Sequence, residues 1–151
     1  MKLRITAICV LFLHCLITGC APKNNTCNLA SRKVMEEMWI GAHSTESIDR
    51  AISLCLDSAN EGNVTAQFYL SMFYALKNNK QENEESYKWT LKAAKNGHID
   101  SQFHLGVMYE KGIVVKQDSN KAEEWYQRAA QNGSLLAQKK LIKEKGSAPI
   151  K

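Results

Sequence analysis

The sequence predicts an all-α protein, an α-solenoid of antiparallel helix hairpins, and three observations carry that prediction. The chain of 151 residues matches itself when displaced by 35 or 36 positions. Within each matched unit the apolar residues recur with the 3.6-residue period of a helix. No segment shows the strict alternation of an amphipathic strand. One helical hairpin cannot bury its apolar face alone, so a repeat of this length implies stacked units sharing a continuous core.

The self-match is most complete between Glu61–Tyr74, EGNVTAQFYLSMFY, and Asn96–Tyr109, NGHIDSQFHLGVMY. A third copy begins at Asn132-Gly133 and runs through Ala137-Gln138 to Leu141. The second half of each unit repeats too. Ser86 to Trp89 followed by Ala93-Ala94 matches Ala122 to Trp125 followed by Ala129-Ala130, and the same frame fits Ala51, Leu54 and Ser58-Ala59. A fainter first half falls at Ser31, Met35 and Trp39, 35 residues before Ala66, Leu70 and Tyr74.

Each unit reads as two helices. In the first, Ala66, Leu70, Phe73 and Tyr74 stand at i, i+4, i+7 and i+8 and share one face. In the second, Trp89, Ala93 and Ala94 do the same, with small residues that admit a close neighbour. Gly62, Gly97 and Gly133 are placed to end the second helices, where a positive φ costs glycine nothing. Lys111-Gly112 closes the later first helix, and Asp118 or Ser119 caps the helix that follows.

The pattern A-x3-LG-x2-Y-x2-G, then A-x2-WY-x2-AA-x2-G, resembles the Sel-one-like repeat, a relative of the tetratricopeptide repeat. Ser101–Gly112 and Ala122–Gly133 fit it nearly throughout, and Ala66–Tyr74 with Ser86–Gly97 fit with losses at Ser71, Lys77 and Ser86. The expected organisation is a degenerate first repeat over 28–62, repeats over 63–98 and 99–134, a half-repeat cap over 135–146 and a disordered tail over 147–151.

The N-terminal residues stand apart from the array. Lys2 and Arg4 precede an apolar run from Ile5 to Ile17, which reads as a secretory signal too short to be a good membrane span. Ile17-Thr18-Gly19-Cys20 resembles the bacterial lipobox. That resemblance implies cleavage after residue 19, acylation of Cys20, and a lipid anchor on a tether over 20–27. Ala21 follows where an inner-membrane retention signal would place Asp, so the expected location is the outer membrane, facing the periplasm.

Without residues 1–19 the chain keeps eighteen basic and fifteen acidic residues, a formal charge of +3. The signs are interspersed, with no basic stripe of the kind that follows a row of phosphates, and nucleic acid is excluded as a partner. Cys27 and Cys55 are the two cysteines left after the signal and the lipidated Cys20. In an oxidising compartment they read as a disulfide closing a 28-residue separation, a constraint of roughly 3 kcal/mol. The alternative is that Cys55 serves as a small buried hydrophobe.

No catalytic or metal-binding constellation emerges. His98 and His104 lie six apart, about 600° along a helix, so their imidazoles diverge, and both read as surface histidines. The chain lacks G-x-S-x-G, S-x-x-K, a phosphate loop and H-E-x-x-H, so the expectation is a non-enzyme without cofactor or metal. What remains is surface. On the concave side of such a solenoid, Phe68, Tyr69, Met72, Phe103, His104 and Val107 are the candidate contacts for a protein partner; for Phe68 and Phe103 packing between first helices is the favoured reading.

The family resemblance, with the lipobox, implies an interaction module. More narrowly it implies an immunity protein that neutralises a periplasm-delivered toxin such as a phospholipase. Other roles it implies are a cell-envelope scaffold, a host-interacting factor, or a weak penicillin-binding or β-lactamase-like enzyme.

Overall fold

The computed structural model describes residues 23–42, 44–77 and 79–146. Seven helices account for most of them: α1 (Lys23–Trp39), α2 (Thr45–Asn60), α3 (Val64–Lys77), α4 (Lys80–Lys95), α5 (Ile99–Lys111), α6 (Ser119–Gln131) and α7 (Leu135–Gly146). Each helix packs chiefly on its neighbours in the chain, and α1 also touches α3. That contact pattern is the quasi-one-dimensional order of a solenoid. None of the described helices is long and apolar enough to cross a membrane. The signal segment 1–19, the lipidation site Cys20 and the tail 147–151 lie outside the described residues.

The punctuation between units is set by glycine. Gly62, Gly97 and Gly133 have φ of +99°, +91° and +99°. Around each, two amides reach back across the helix end in a Schellman arrangement, as when Gly62 N–H meets Ala59 O at 3.2 Å and Asn63 N–H meets Ser58 O at 3.0 Å. The next helix then starts at once, because the following side chain caps it. Asn63 Oδ1 accepts from Ala66 N–H at 2.8 Å, and Ser134 Oγ from Ala137 N–H at 3.3 Å. Asp118 caps α6 in the same way, accepting from Lys121 N–H at 3.0 Å.

A second repeated device couples the units. Gln67 and Gln102 are buried one residue into the core stripe. Gln67 Nε2 donates to Ala59 O at 3.0 Å while its Oε1 accepts from Asn96 Nδ2 at 2.9 Å. One unit later Gln102 donates to Ala94 O at 3.1 Å and accepts from Asn132 at 2.9 Å. Gln138 begins the same contact on Ala130 O at 3.2 Å. Gln67 and Gln102 thus each bond to carbonyl and amide groups at the ends of two successive second helices.

The first hairpin departs from the expected frame. Cys27, Ser31 and Val34 are buried, again at i, i+4 and i+7. Met35 and Trp39, placed by sequence over Leu70 and Tyr74, are 42 % and 91 % exposed. The reason is covalent: Cys27 is disulfide-bonded to Cys55 of α2, with Cα atoms 4.6 Å apart, which turns that face of α1 inward. Residues 23–27, expected to be tether, form the first turns of α1, and Cys27 is already core.

At the other end α7 buries Ala137 against α6 and rests Leu141 on the same core. It leaves Leu135, Leu136 and Ile142 exposed, so the cap is not purely polar-faced.

Candidate functional site

Successive first helices α3 and α5 stand side by side with α4 behind them, and the cleft between them is the candidate groove. Its pocket, about 220 Å³, is lined by Met72, Ala75 and Leu76 of α3, Ser86 and Thr90 of α4, and His104 and Met108 of α5, with Ser71 at its base. The hydroxyls at its floor are spoken for: Ser71 Oγ donates to Phe68 O, Ser86 Oγ to Ser71 O, and Thr90 Oγ1 to Ser86 O, at 2.7 to 2.8 Å. An occupant would therefore meet thioether, alkyl and imidazole groups. Flexible methionine side chains suit such a surface, because they re-pack around differently shaped partners.

The six sequence-picked residues separate in space. Met72 and His104 line the pocket together. Phe68 is not among the lining residues; its ring is stacked on His98 at 4.2 Å between centroids and edge-on to His104 at 6.4 Å. Tyr69 lies 5.8 Å from Phe68 but turns its ring along Phe73, into the first core cluster. Phe103 packs 5.4 Å from Tyr126, and Val107 rests against the core of α6 and α7. Met108 takes the groove position expected of Val107. In the repeat frame Met108 is the counterpart of the fully buried Phe73, which disguised it as core.

His98 differs from the surface residue the sequence suggested. It caps α5: Nδ1 accepts from Ser101 N–H at 3.3 Å, which requires the neutral tautomer with the proton on Nε2. The slot is that of Asn63 and Ser134, both caps, and that equivalence was the signal. Burial pushes its pKa below the ordinary imidazole value, with His104 adding to the shift and Asp100 opposing it. His104 is depressed likewise by the bulk around its ring, against the pull of Asp100, although the residue as a whole stays exposed to solvent.

Both imidazoles are thus held towards the neutral form, and neither belongs to a group of three or more potential metal ligands among the described residues. A neutral imidazole beside two methionines is a recognition surface with a hydrogen-bonding tip.

The chain is similar to known proteins in two ways. The model of the Sel1 repeat matches residues 64–98 and 99–134. A Sel1 repeat protein from Oxalobacter formigenes, known from its crystal structure, superposes with a TM-score of 0.61 at 31% identity, over 81% of this chain and 89% of that one. The hairpin of α1 and α2 falls outside the two matched repeats.

Proposed function

The chain belongs to the Sel1 repeat family, a fold of protein–protein interaction scaffolds, and we propose that it works as a lipid-anchored periplasmic module that captures a protein partner in the groove between α3 and α5. The observation that carries this reading is the groove itself, where Met72, His104 and Met108 face one opening whose hydroxyl groups are already satisfied from within. Such a surface offers contact area and one polar tip, which suits the docking of a side chain from a folded partner.

The location follows from the lipobox resemblance at Cys20. With α1 beginning at Lys23, only Ala21 and Pro22 separate the anchor at Cys20 from the fold, three residue steps or about 10 Å fully extended, so the partner must come close to the membrane. A toxin entering the periplasm to attack lipids would do so, and the immunity role is the narrower form of the proposal.

Immobilised wild-type protein and a Met72→Lys variant, exposed to envelope extract with and without the candidate toxin, test it. The wild type should retain a partner that the variant loses, and cells lacking the protein should become sensitive to that partner. Equal retention by both proteins would remove the groove from the account. Palmitate labelling that persists in Cys20→Ser would remove the anchor.

A further inference from the structure

Among the described residues nothing covers the outer end of the first hairpin, which has the shape of a seat for one more helix, and we propose that it binds an amphipathic helix from another protein. Second helices in this array stack through a repeated register. Trp89 of α4 packs against the core cluster that contains Ile52 and Ala59 of α2, together with Leu56. One unit on, Trp125 of α6 shares a cluster with Ala94 of α4, with Tyr87 and Leu91 against it, and is only 9 % exposed. Each second helix therefore offers a forward face at i, i+4 and i+7 to a large receiving side chain on the next.

The receiving position of α2 is Leu54, 35 residues before Trp89. Nothing among the described residues covers it. Leu54 is 41 % exposed and Leu29 across from it 61 %, and they flank a largely apolar groove of about 520 Å³ floored by Val34 and Ala51. Glu37 lines the same groove, with Oε1 3.8 Å from Lys33 Nζ and Oε2 turned inward without a hydrogen-bond partner. An arriving helix would cover the leucines and the outward side of the Glu37 carboxylate.

The far end of the stack is finished differently. The forward-face positions of α6 are Glu123, Gln127 and Ala130, and the first two bond to each other at 2.9 Å. The second-helix face at that end is therefore polar, although α7 beside it leaves Leu135, Leu136 and Ile142 exposed. A second copy of this chain does not offer that face either: those of α2 and α4 are used internally, that of α6 is polar, and on α7 the exposed Leu135 and Ile142 have Lys139 between them at i+4, while Leu136 is followed by Lys140 and Lys143. The occupant is a foreign helix with an aromatic or branched residue, a leucine and an alanine at i, i+4 and i+7, and a donor near Glu37. This seat does not depend on the inner groove having a partner.

The probe is a peptide of residues 80–95, which carries Tyr87, Leu91 and Ala94, stapled as a helix on the side opposite Leu91 because so short a peptide is otherwise marginally helical. Titrated into isotope-labelled protein, it should shift amide resonances around Leu29, Val34, Ala51 and Leu54. Leu54→Lys, or the more exposed Leu29→Lys, should weaken binding at least tenfold, and Leu91→Lys in the peptide should do the same, with melting temperatures of the protein unchanged within a few degrees. Absence of shifts, or shifts centred on Met72 and His104, would overturn the proposal. So would concentration-dependent dimerisation abolished by Leu54→Lys, which would assign the seat to a second copy.

Discussion

Tyr126 of α6 lies against Gly106 of α5 so closely that a Cβ on the glycine would meet the ring carbons Cδ1 and Cε1 at 2.6 Å. This close approach lets the tyrosine hydroxyl donate to Glu110 Oε2 at 2.5 Å, while Glu110 Oε1 holds Lys140 of α7 at 2.6 Å. The bonds from Lys140 and then Tyr126 hold the Glu110 carboxyl below its usual pKa. One absent methyl group thus permits a three-helix connection. Gly106→Ala should destabilise by about 1–3 kcal/mol through overpacking, outweighing alanine's better helix propensity, and thermal unfolding should show it as a drop of several degrees.

The glutamine ladder makes the repeats depend on one another. Replacing Gln102 by leucine keeps most of the volume but removes the acceptor of the exposed Asn132 amide and one of the donors to the buried Ala94 carbonyl, which keeps Gly97 N–H at 3.1 Å. A loss of about 1 kcal/mol is expected in urea unfolding, the net worth of a neutral hydrogen bond between two successive units. Gln138→Leu, on the exposed last rung, should cost clearly less.

His98 makes stability depend on pH. Its folded pKa lies below the unfolded value of 6.5, so the unfolded chain binds the proton more readily. The contribution is complete above pH 6.5 and declines as the pH falls from there towards the folded value. In His98→Asn the cap of Asn63 is copied without a titrating group, and the decline across that window should shrink. His104, depressed in the same direction, supplies the remainder, and Asp100 opposes both.

Val114 follows Gly112 in the turn before α6 and carries φ of +65°, a left-handed conformation that a β-branched side chain adopts only with strain. Its side chain is exposed, so nothing in the core compensates. Val114→Gly should raise stability by about 1 kcal/mol, read as a melting point a few degrees higher.

The two inner repeats were legible in the sequence because period, apolar stripe and glycine punctuation agreed there. The register of α1 was not. The frame of Ser31, Met35 and Trp39 continued the repeat on paper, but the cross-link from Cys27 to Cys55 fixed a different face inward. In the groove, Met72 and His104 were found by their place opposite the core stripe, whereas Met108 was hidden by its equivalence to Phe73. Helix angles say which way a side chain leaves its own helix. They do not say how far the neighbouring helix is rotated, and that rotation decided between Val107 and Met108.

The most direct measurement is hydrogen exchange on the complex of the protein with its captured partner. The account predicts slowed exchange in residues 71–76 of α3 and 104–108 of α5, and loss of that protection together with binding in Met72→Lys. Protection confined to α1 and α2 or to α7, with the amides of Met72 and His104 unchanged, would contradict it.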